Sequence, residues 1–379
     1  MRRTVRVVGV ALAAALAAGC GAEFDSPSEL RSLRVLAVKK DRPYARPGDT
    51  VRLQMALDDA SAKDGRRVNV TWFSGCENPP GDLYAGCFLE LASAPPGDLA
   101  GLFRLGEGLT FDFPISPEIL SDRPPPLNPR QPPFGTAFVF FAACAGEVRL
   151  EPVDPKSPAF PIGCYTPEGK RVGAEGFVAG YTQVFVYDGY VNRNPRITGI
   201  QIDGQRVEPE CIGEACIPLL EQELGLVSTV PGAGDAGAPD GGAPDGGATD
   251  GGAPGAPAPS DPCDPVGFGC FNVCTKEDPD ACPDHSVEVV VDPTSVDPNG
   301  PLEAIEDRKI LEQMWVKYYV DSGKLLESTR LLNDAAEGWN EEADAKLLTP
   351  QEPGLFHLWA VAQDNRGGAD FVRVRLKAR

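Results

Sequence analysis

The feature that most limits the fold is a period-two alternation of apolar and polar residues, which returns along the chain and rarely gives way to a helical repeat. Val51, Leu53, Met55 and Leu57 alternate with Arg52, Gln54, Ala56 and Asp58, directly after the turn Pro47-Gly48-Asp49. Leu33, Val35 and Ala37 alternate with Arg34 and Leu36 before that turn, and Val68, Val70 and Trp72 continue the pattern after it. In a strand, successive side chains point to opposite faces, so this pattern gives a sheet one buried side. Further strands are predicted over 109–113, 136–144, 182–187, 197–202, 287–291 and 314–320. Residues 355–363 and 370–377 read as a hairpin around Asp364-Asn365-Arg366-Gly367-Gly368, two alternating runs about a glycine-rich loop. Helical spacing is confined to short candidates over 217–226 and 303–314. The fold class is therefore all-β.

Glycine and proline, 42 and 38 of 379 residues, mark where strands stop. Eight prolines fall between Pro114 and Pro133, which no central strand tolerates, so that stretch is a surface loop. Over 231–260 the unit Ala238-Pro239-Asp240-Gly241-Gly242 repeats, with Asp235, Asp240, Asp245 and Asp250 five residues apart. Such a tract holds nothing with which to build a core, and its composition is that of a disordered acidic spacer. Its period and lack of apolar anchors differ from calcium-binding glycine-rich repeats.

The N-terminus carries a second constraint. Arg2, Arg3 and Arg6 precede an apolar stretch over 7–18, too short for a spanning helix but suited to a signal peptide. Its end, Leu16-Ala17-Ala18-Gly19-Cys20, resembles the lipobox of bacterial lipoproteins, although the leucine sits one position further from the cysteine than is usual. The resemblance implies cleavage after residue 19, acylation of Cys20, a membrane anchor in the cell envelope and a polar tether over 20–29. Gly21 is not an acidic retention signal, so the outer membrane is favoured over the inner.

Cysteine usage agrees with export. The chain has 11 cysteines, and removing Cys20 leaves an even number for an oxidising compartment. Sequence neighbours pair Cys76 with Cys87, Cys144 with Cys164, and Cys211 with Cys216; Cys263, Cys270, Cys274 and Cys282 have three possible connectivities. Cys270, Cys274, Cys282 and His285 also make a zinc-type ligand set of poor spacing, and disulfides are preferred. No metal or cofactor is expected.

Two domains follow from this punctuation, over 30–193 and 194–379. The second domain resembles immunoglobulin-like or polycystic-kidney-disease-type β-sandwiches. The resemblance rests on Pro353-Gly354-Leu355-Phe356-His357-Leu358, which is similar to the approach to the penultimate strand, with Phe356 and Leu358 where that family has its tyrosine and cysteine. Residues 194–209 with 285–379 make about 110 residues, near the ~100 of that fold. The expected architecture is two immunoglobulin-like sandwiches. In the first, 76–135 would be an elaborated insertion; in the second, 204–284 would be a cysteine-containing, low-complexity one. The short junction predicts an end-to-end arrangement, and Asn192 and Asn194 before Pro195 faintly resemble a cadherin calcium junction without its acidic ligands.

Charge and motifs narrow the function. With 35 basic against 55 acidic residues the net charge is −20, which disfavours nucleic acid as a partner. Only two histidines are present, and no nucleophile elbow, zinc-protease helix or phosphate loop occurs. A non-catalytic binding or scaffolding module is the favoured reading. A structural subunit of an envelope assembly and a hydrolase of envelope glycans or esters are the alternatives. If Phe356, Leu358 and Ala360 face the core, then Trp315, Tyr319, His357, Trp359, Arg373 and Arg375 share the opposite face. That aromatic and cationic patch is the predicted binding site for a protein or glycan ligand. Trp315 has a competing placement as the core aromatic of the third sandwich strand.

Overall fold

Where the alternation is cleanest the chain forms its longest strands. The computed structural model describes residues 26–61, 66–87, 103–151, 161–226, 263 and 269–379. The signal segment, Cys20 and the 231–260 tract lie outside the described residues. In the first domain the strands are β1 (Leu33–Lys40), β2 (Tyr44–Ala45), β3 (Thr50–Asp59), β4 (Asn69–Glu77), β5 (Arg104–Glu107), β6 (Thr110–Pro114), β7 (Phe134–Cys144), β8 (Glu147–Leu150), β9 (Ile162–Tyr165) and β10 (Phe177–Tyr187). A three-stranded sheet, β1-β3-β6, faces a five-stranded one, β2-β10-β7-β4-β5, while β8 and β9 form a side hairpin. The parallel pairing of the short β2 with the end of β10 gives the first strand segment a share in each sheet, as in immunoglobulin-like sandwiches. Trp72 on β4 sits fully buried between the sheets, its ring 5.9 Å from Phe111 and 5.7 Å from Phe141. Its indole N–H donates to the Gly108 carbonyl at 2.8 Å, so the polar end of the side chain is also satisfied.

The second domain contains β11 (Ile197–Ile202), β12 (Gln205–Val207), β13 (Cys211–Ile212), α1 (Cys216–Glu223), β14 (Cys270–Phe271), β15 (Asp284–Val291), α2 (Gly300–Glu306), β16 (Met314–Val320), β17 (Lys324–Leu326), β18 (Thr329–Asp334), β19 (Gly338–Trp339), β20 (Ala345–Leu348), β21 (Gly354–Asp364) and β22 (Ala369–Ala378). One sheet runs β12-β11-β15-β20-β17 and the other β13-β22-β21-β16-β18-β19, with β14 also on β22. Met314, Val316, Tyr318 and Val320 point into the core with Phe356 and Leu358. The strand aromatic of this core is Tyr318, whose hydroxyl accepts from the Val289 N–H and donates to the Ala343 carbonyl, both at 3.0 Å. Trp315 lies on the other face, which removes its competing placement.

Several expectations need correction. Residues 76–135 are not simply an insertion, because β5 and β6 are sandwich strands within it. The proline-rich loop that follows is fastened by buried Ile115 and Ile119 and by the Arg123 guanidinium over the Phe134 ring. Within 204–284, residues 205–223 and 270–271 supply β12, β13, α1 and β14, so the low-complexity reading applies to a narrower stretch. All ten cysteines after Cys20 are paired, with Cys263–Cys270 and Cys274–Cys282 resolving the open connectivity alongside Cys76–Cys87, Cys144–Cys164 and Cys211–Cys216. The zinc alternative loses its thiolates to these bonds. The end of the expected tether is also engaged: Val320 N–H donates to the Ser28 carbonyl at 2.9 Å, and next to it Leu30, the first residue of the expected domain, donates its N–H to the Val320 carbonyl at 2.7 Å.

The domains do not sit end to end. Residues 54–57 on β3 are all buried, so the sheet is covered on both faces along β1 and the second half of β3, while Arg52 and Asp112 leave its β6 side in solvent. Its second face packs on Trp359, Val361 and Phe371 of the second domain and on Ile217, Leu220 and Leu224 in and beside α1. A near-continuous apolar run in a strand needs cover on both sides, and here the neighbouring sandwich provides it.

Strand β11 precedes the 231–260 tract in sequence, yet it pairs with β15, and β13 pairs with β22. A protease that cuts within 231–260 is therefore expected to leave two pieces that elute together on gel filtration in the absence of denaturant. Separate elution would contradict this pairing.

Candidate functional site

The outer face of β16, β21 and β22 holds every residue of the predicted patch, because register pairs Tyr319 with Trp359, Trp359 with Arg373 and His357 with Arg375. The facing was legible in the sequence, whereas accessibility was not. Trp359 is 0% exposed and Arg373 1%, both beneath the first domain and α1. The Trp359 indole N–H donates to Asp58 Oδ2 on β3 at 3.0 Å, so the side chain joins the two domains by a polar bond as well as by area. Burial pushes the Asp58 carboxyl above its ordinary range, against the pull of that indole hydrogen bond.

Arg373 stands 5.5 Å above the Trp359 ring and is held by carboxylates. Glu223 accepts from both terminal guanidinium nitrogens at 2.6 Å, and Glu210 accepts from Nε at 2.8 Å. Bidentate geometry of this kind repays the cost of taking the cation out of water. His357 is partly exposed; its Nδ1 lies 3.1 Å from Asp321 and its Nε2 3.7 Å from Glu210. Burial alone lowers this imidazole, but the Asp321 hydrogen bond and the flanking carboxylates outweigh burial and raise it. Arg375 reaches Glu210 at 3.7 Å. Of the patch, Trp359 and Arg373 are therefore removed as ligand contacts, Tyr319 packs against the shared core, and Trp315 remains partly exposed.

Trp315 borders a groove of about 350 Å³ beside the domain interface. β1 crosses the outer face at a slant. Three residues before its start Leu30 bonds Val320, and at its end Lys39 reaches Asp370 at 2.7 Å and Lys40 the Gly367 carbonyl at 2.7 Å. A wedge is left between β1 and the start of β16. Val35 and Val38 of β1 lie along it, Tyr181 and Thr182 of β10 form one wall, and Trp315 and Gln363 form the other. These first-domain residues were not singled out from sequence, though the unbroken apolar run Val35-Leu36-Ala37-Val38 signals a strand covered on more than one side.

The junction residues act as clamps. The Asn194 side-chain amide donates to the Lys40 carbonyl at 2.7 Å and accepts from Ala369 N–H at 3.0 Å, while Asn192 donates to Asp364 at 3.1 Å. Asp364 also accepts from the Arg366 and Gly368 N–H groups. Asn194 thus has both amide atoms engaged and Asn192 its nitrogen, while Asn192 Oδ1 is buried without a hydrogen-bond partner. Among the described residues no cluster of three or more His, Cys, Asp or Glu side chains has metal-binding geometry. A second cleft, of about 510 Å³, contains Lys39, Arg52, Asp112 and Glu214, but its cations are paired, Arg52 with Asp112 and Lys39 with Asp370.

No protein-family model matches the chain, and no curated protein matches it. Among solved structures it aligns with the D00-D0 domain of intimin at 10% identity and a TM-score of 0.18, over 92% of this chain and 96% of that one. The fibronectin(III)-like modules of CbhA from Clostridium thermocellum align at 10% identity and a TM-score of 0.17, over 90% and 94%. Alpha-2-macroglobulin of E. coli aligns at 8% identity and a TM-score of 0.21, over 94% of this chain and 16% of that one. Scores at this level carry no argument, so the class of the protein, all-β with two immunoglobulin-like sandwiches, rests on strand order and pairing.

Trp359→Ala is expected to cost about 3–5 kcal/mol in denaturant unfolding, the range for a buried aromatic; a loss under ~1 kcal/mol would mean an accessible side chain. Burial lowers the Lys40 ammonium to about 8, with Asp364 pulling the other way. Between that value and the ordinary 10.5 the unfolded chain holds more protons than the folded one, so stability from this group rises with pH across the window and is lost as pH falls through 8. Lys40→Met is expected to flatten that rise, by roughly 3 kcal/mol at most given ~1.4 kcal/mol per pH unit, in urea unfolding measured from pH 7.5 to 10.5. An unchanged slope would assign the rise to other groups.

Proposed function

We propose that the chain is a lipid-anchored cell-envelope protein, tethered through Cys20 to the outer membrane, that presents two fused sandwiches as a non-catalytic binding or scaffolding module. The observation that carries the reading is the shared core: Trp359, Val361 and Phe371 of one domain are buried with the β1-β3 sheet of the other, so two domains behave as one presenting body. The clamp at Ser28 and Leu30 supports a short tether, because it brings the fixed part of the chain to within eight residues of Cys20. The histidine contacts support a non-catalytic role. His285 Nδ1 lies 2.7 Å from Asp203 and His357 Nδ1 3.1 Å from Asp321, and neither ion pair includes a hydroxyl or thiol nucleophile.

The wild-type protein is expected to partition into detergent with the envelope fraction, and Cys20→Ser to be soluble or unprocessed. Mass spectrometry of the mature N-terminus checks the anchor directly, and an unmodified terminus at another residue would refute it. Density-gradient separation of the two membranes tests the outer-membrane assignment.

A further inference from the structure

The three-stranded sheet that packs on the second domain is narrower than the face it covers. In the sheet order β1 is an edge, hydrogen-bonded to β3 alone. Among the described residues, the backbone groups of Val35, Leu36, Ala37 and Val38 make no hydrogen bond to any element other than β3. Alternate residues of an edge strand turn N–H and C=O away from the partner, and Val35 to Val38, which include a β-bulge, line the groove beside Trp315. Beyond its two-residue pairing with β2, β10 is an edge as well, and Tyr181 and Thr182 stand on its open part.

We propose that this groove receives an extended segment of a partner protein, which adds to β1 as a fourth strand and lays apolar side chains on Trp315. The proposal rests on the reading of the protein as a binding module and names the site and the chemistry of its ligand. Its main support is continuity with the interface already formed. The covered part of the same outer face packs Trp359 and Phe371 under β1 and β3, so a strand beside β1 continues the same sheet-on-sheet contact over the uncovered part. The edge residues Val35 to Val38, with a bulge between Val35 and Ala37, span at most ~13 Å at ~3.3 Å per residue, which suits three or four residues of an extended chain. The lining is mixed: Val35, Val38, Tyr181 and Trp315 offer apolar and aromatic surface, and Thr182, Gln363 and Asp364 are polar. Lys40 closes one end but is committed to the Gly367 carbonyl.

A second copy of this chain fits less well. Leu36 and Ala37 are 6% and 4% exposed, so the floor is recessed between walls that two folded β1 edges do not pass. A glycan uses the aromatic ring but leaves the row of strand amides unpaired, which costs free energy once water is excluded.

The test uses the full chain in detergent, panned against displayed random twelve-residue peptides. Enriched peptides are expected to show apolar residues at alternate positions and to bind one per chain. Trp315→Ala is expected to weaken them at least tenfold while the melting temperature stays near wild type, and Tyr181→Ala to act in the same direction. Methylating alternate peptide amides is expected to abolish binding, and hydrogen exchange at residues 35–38 to slow at least tenfold in the complex. The proposal is overturned if no peptide is enriched, if N-methylation leaves affinity unchanged, if envelope oligosaccharides bind in a Trp315-dependent way instead, or if the groove is filled by a dimer that Trp315→Ala dissolves. Peptide binding is independent of acylation, so Cys20→Ser separates failure of this site from failure of the anchored-protein reading.

Discussion

The structure depends on a thin sheet that is buried on both sides along β1 and half of β3. β1 and the second half of β3 carry apolar residues on both faces, and neither apolar surface is small enough to be left in water. One face closes the first sandwich around Trp72; the other needs the second domain, and Trp359, Val361 and Phe371 meet it. At roughly 25 cal/mol per Å² of apolar surface, such cover outweighs the modest cost of fixing two domains joined by a short connection. The consequence is a four-layer stack of sheets rather than a chain of separate modules.

Several charged and polar groups trapped by this arrangement have partners, although Asn192 Oδ1 at the junction has none. Arg373 lies under the interface with two glutamates, Trp359 has Asp58, and at the junction Arg366 lies against Glu312, with both side chains almost wholly out of solvent. Burial pushes the Glu312 carboxyl up against the pull of Arg366. Removing one member of such a pair strands the other charge, so these contacts specify the relative position of the domains more than they add net stability. A protein of net charge −20 thus uses several of its 35 cations inside rather than at the surface.

Much of this was legible in the sequence because period two is a strong signal. The long strands β1, β3, β7, β11, β15, β16, β21 and β22 fall on predicted runs, and the outward set from Trp315 to Arg375 was assigned to the correct face. Short strands such as β2, β13 and β14 were not legible, since two residues cannot show a period and their pairing is set by neighbours distant in sequence. The cover over Trp359 was also hidden. Alternation reports that a face is apolar or mixed, but an intramolecular partner and an external ligand leave the same pattern. The clue lay in the first domain, where Val35 to Val38 and Met55 to Leu57 are apolar without a break.

The hydrogen bonds that Val320 accepts from Leu30 and donates to Ser28 have a mechanical meaning. They lie between the N-terminal end of the chain and β1, so tension applied from that end reaches the second domain before it reaches the first sandwich's own ladder. A pull that enters there is divided at once between two bodies already joined through Trp359. Neither the β1–β3 pairing nor the groove beside it then bears the force alone, and β1 keeps its position while the N-terminus is under strain.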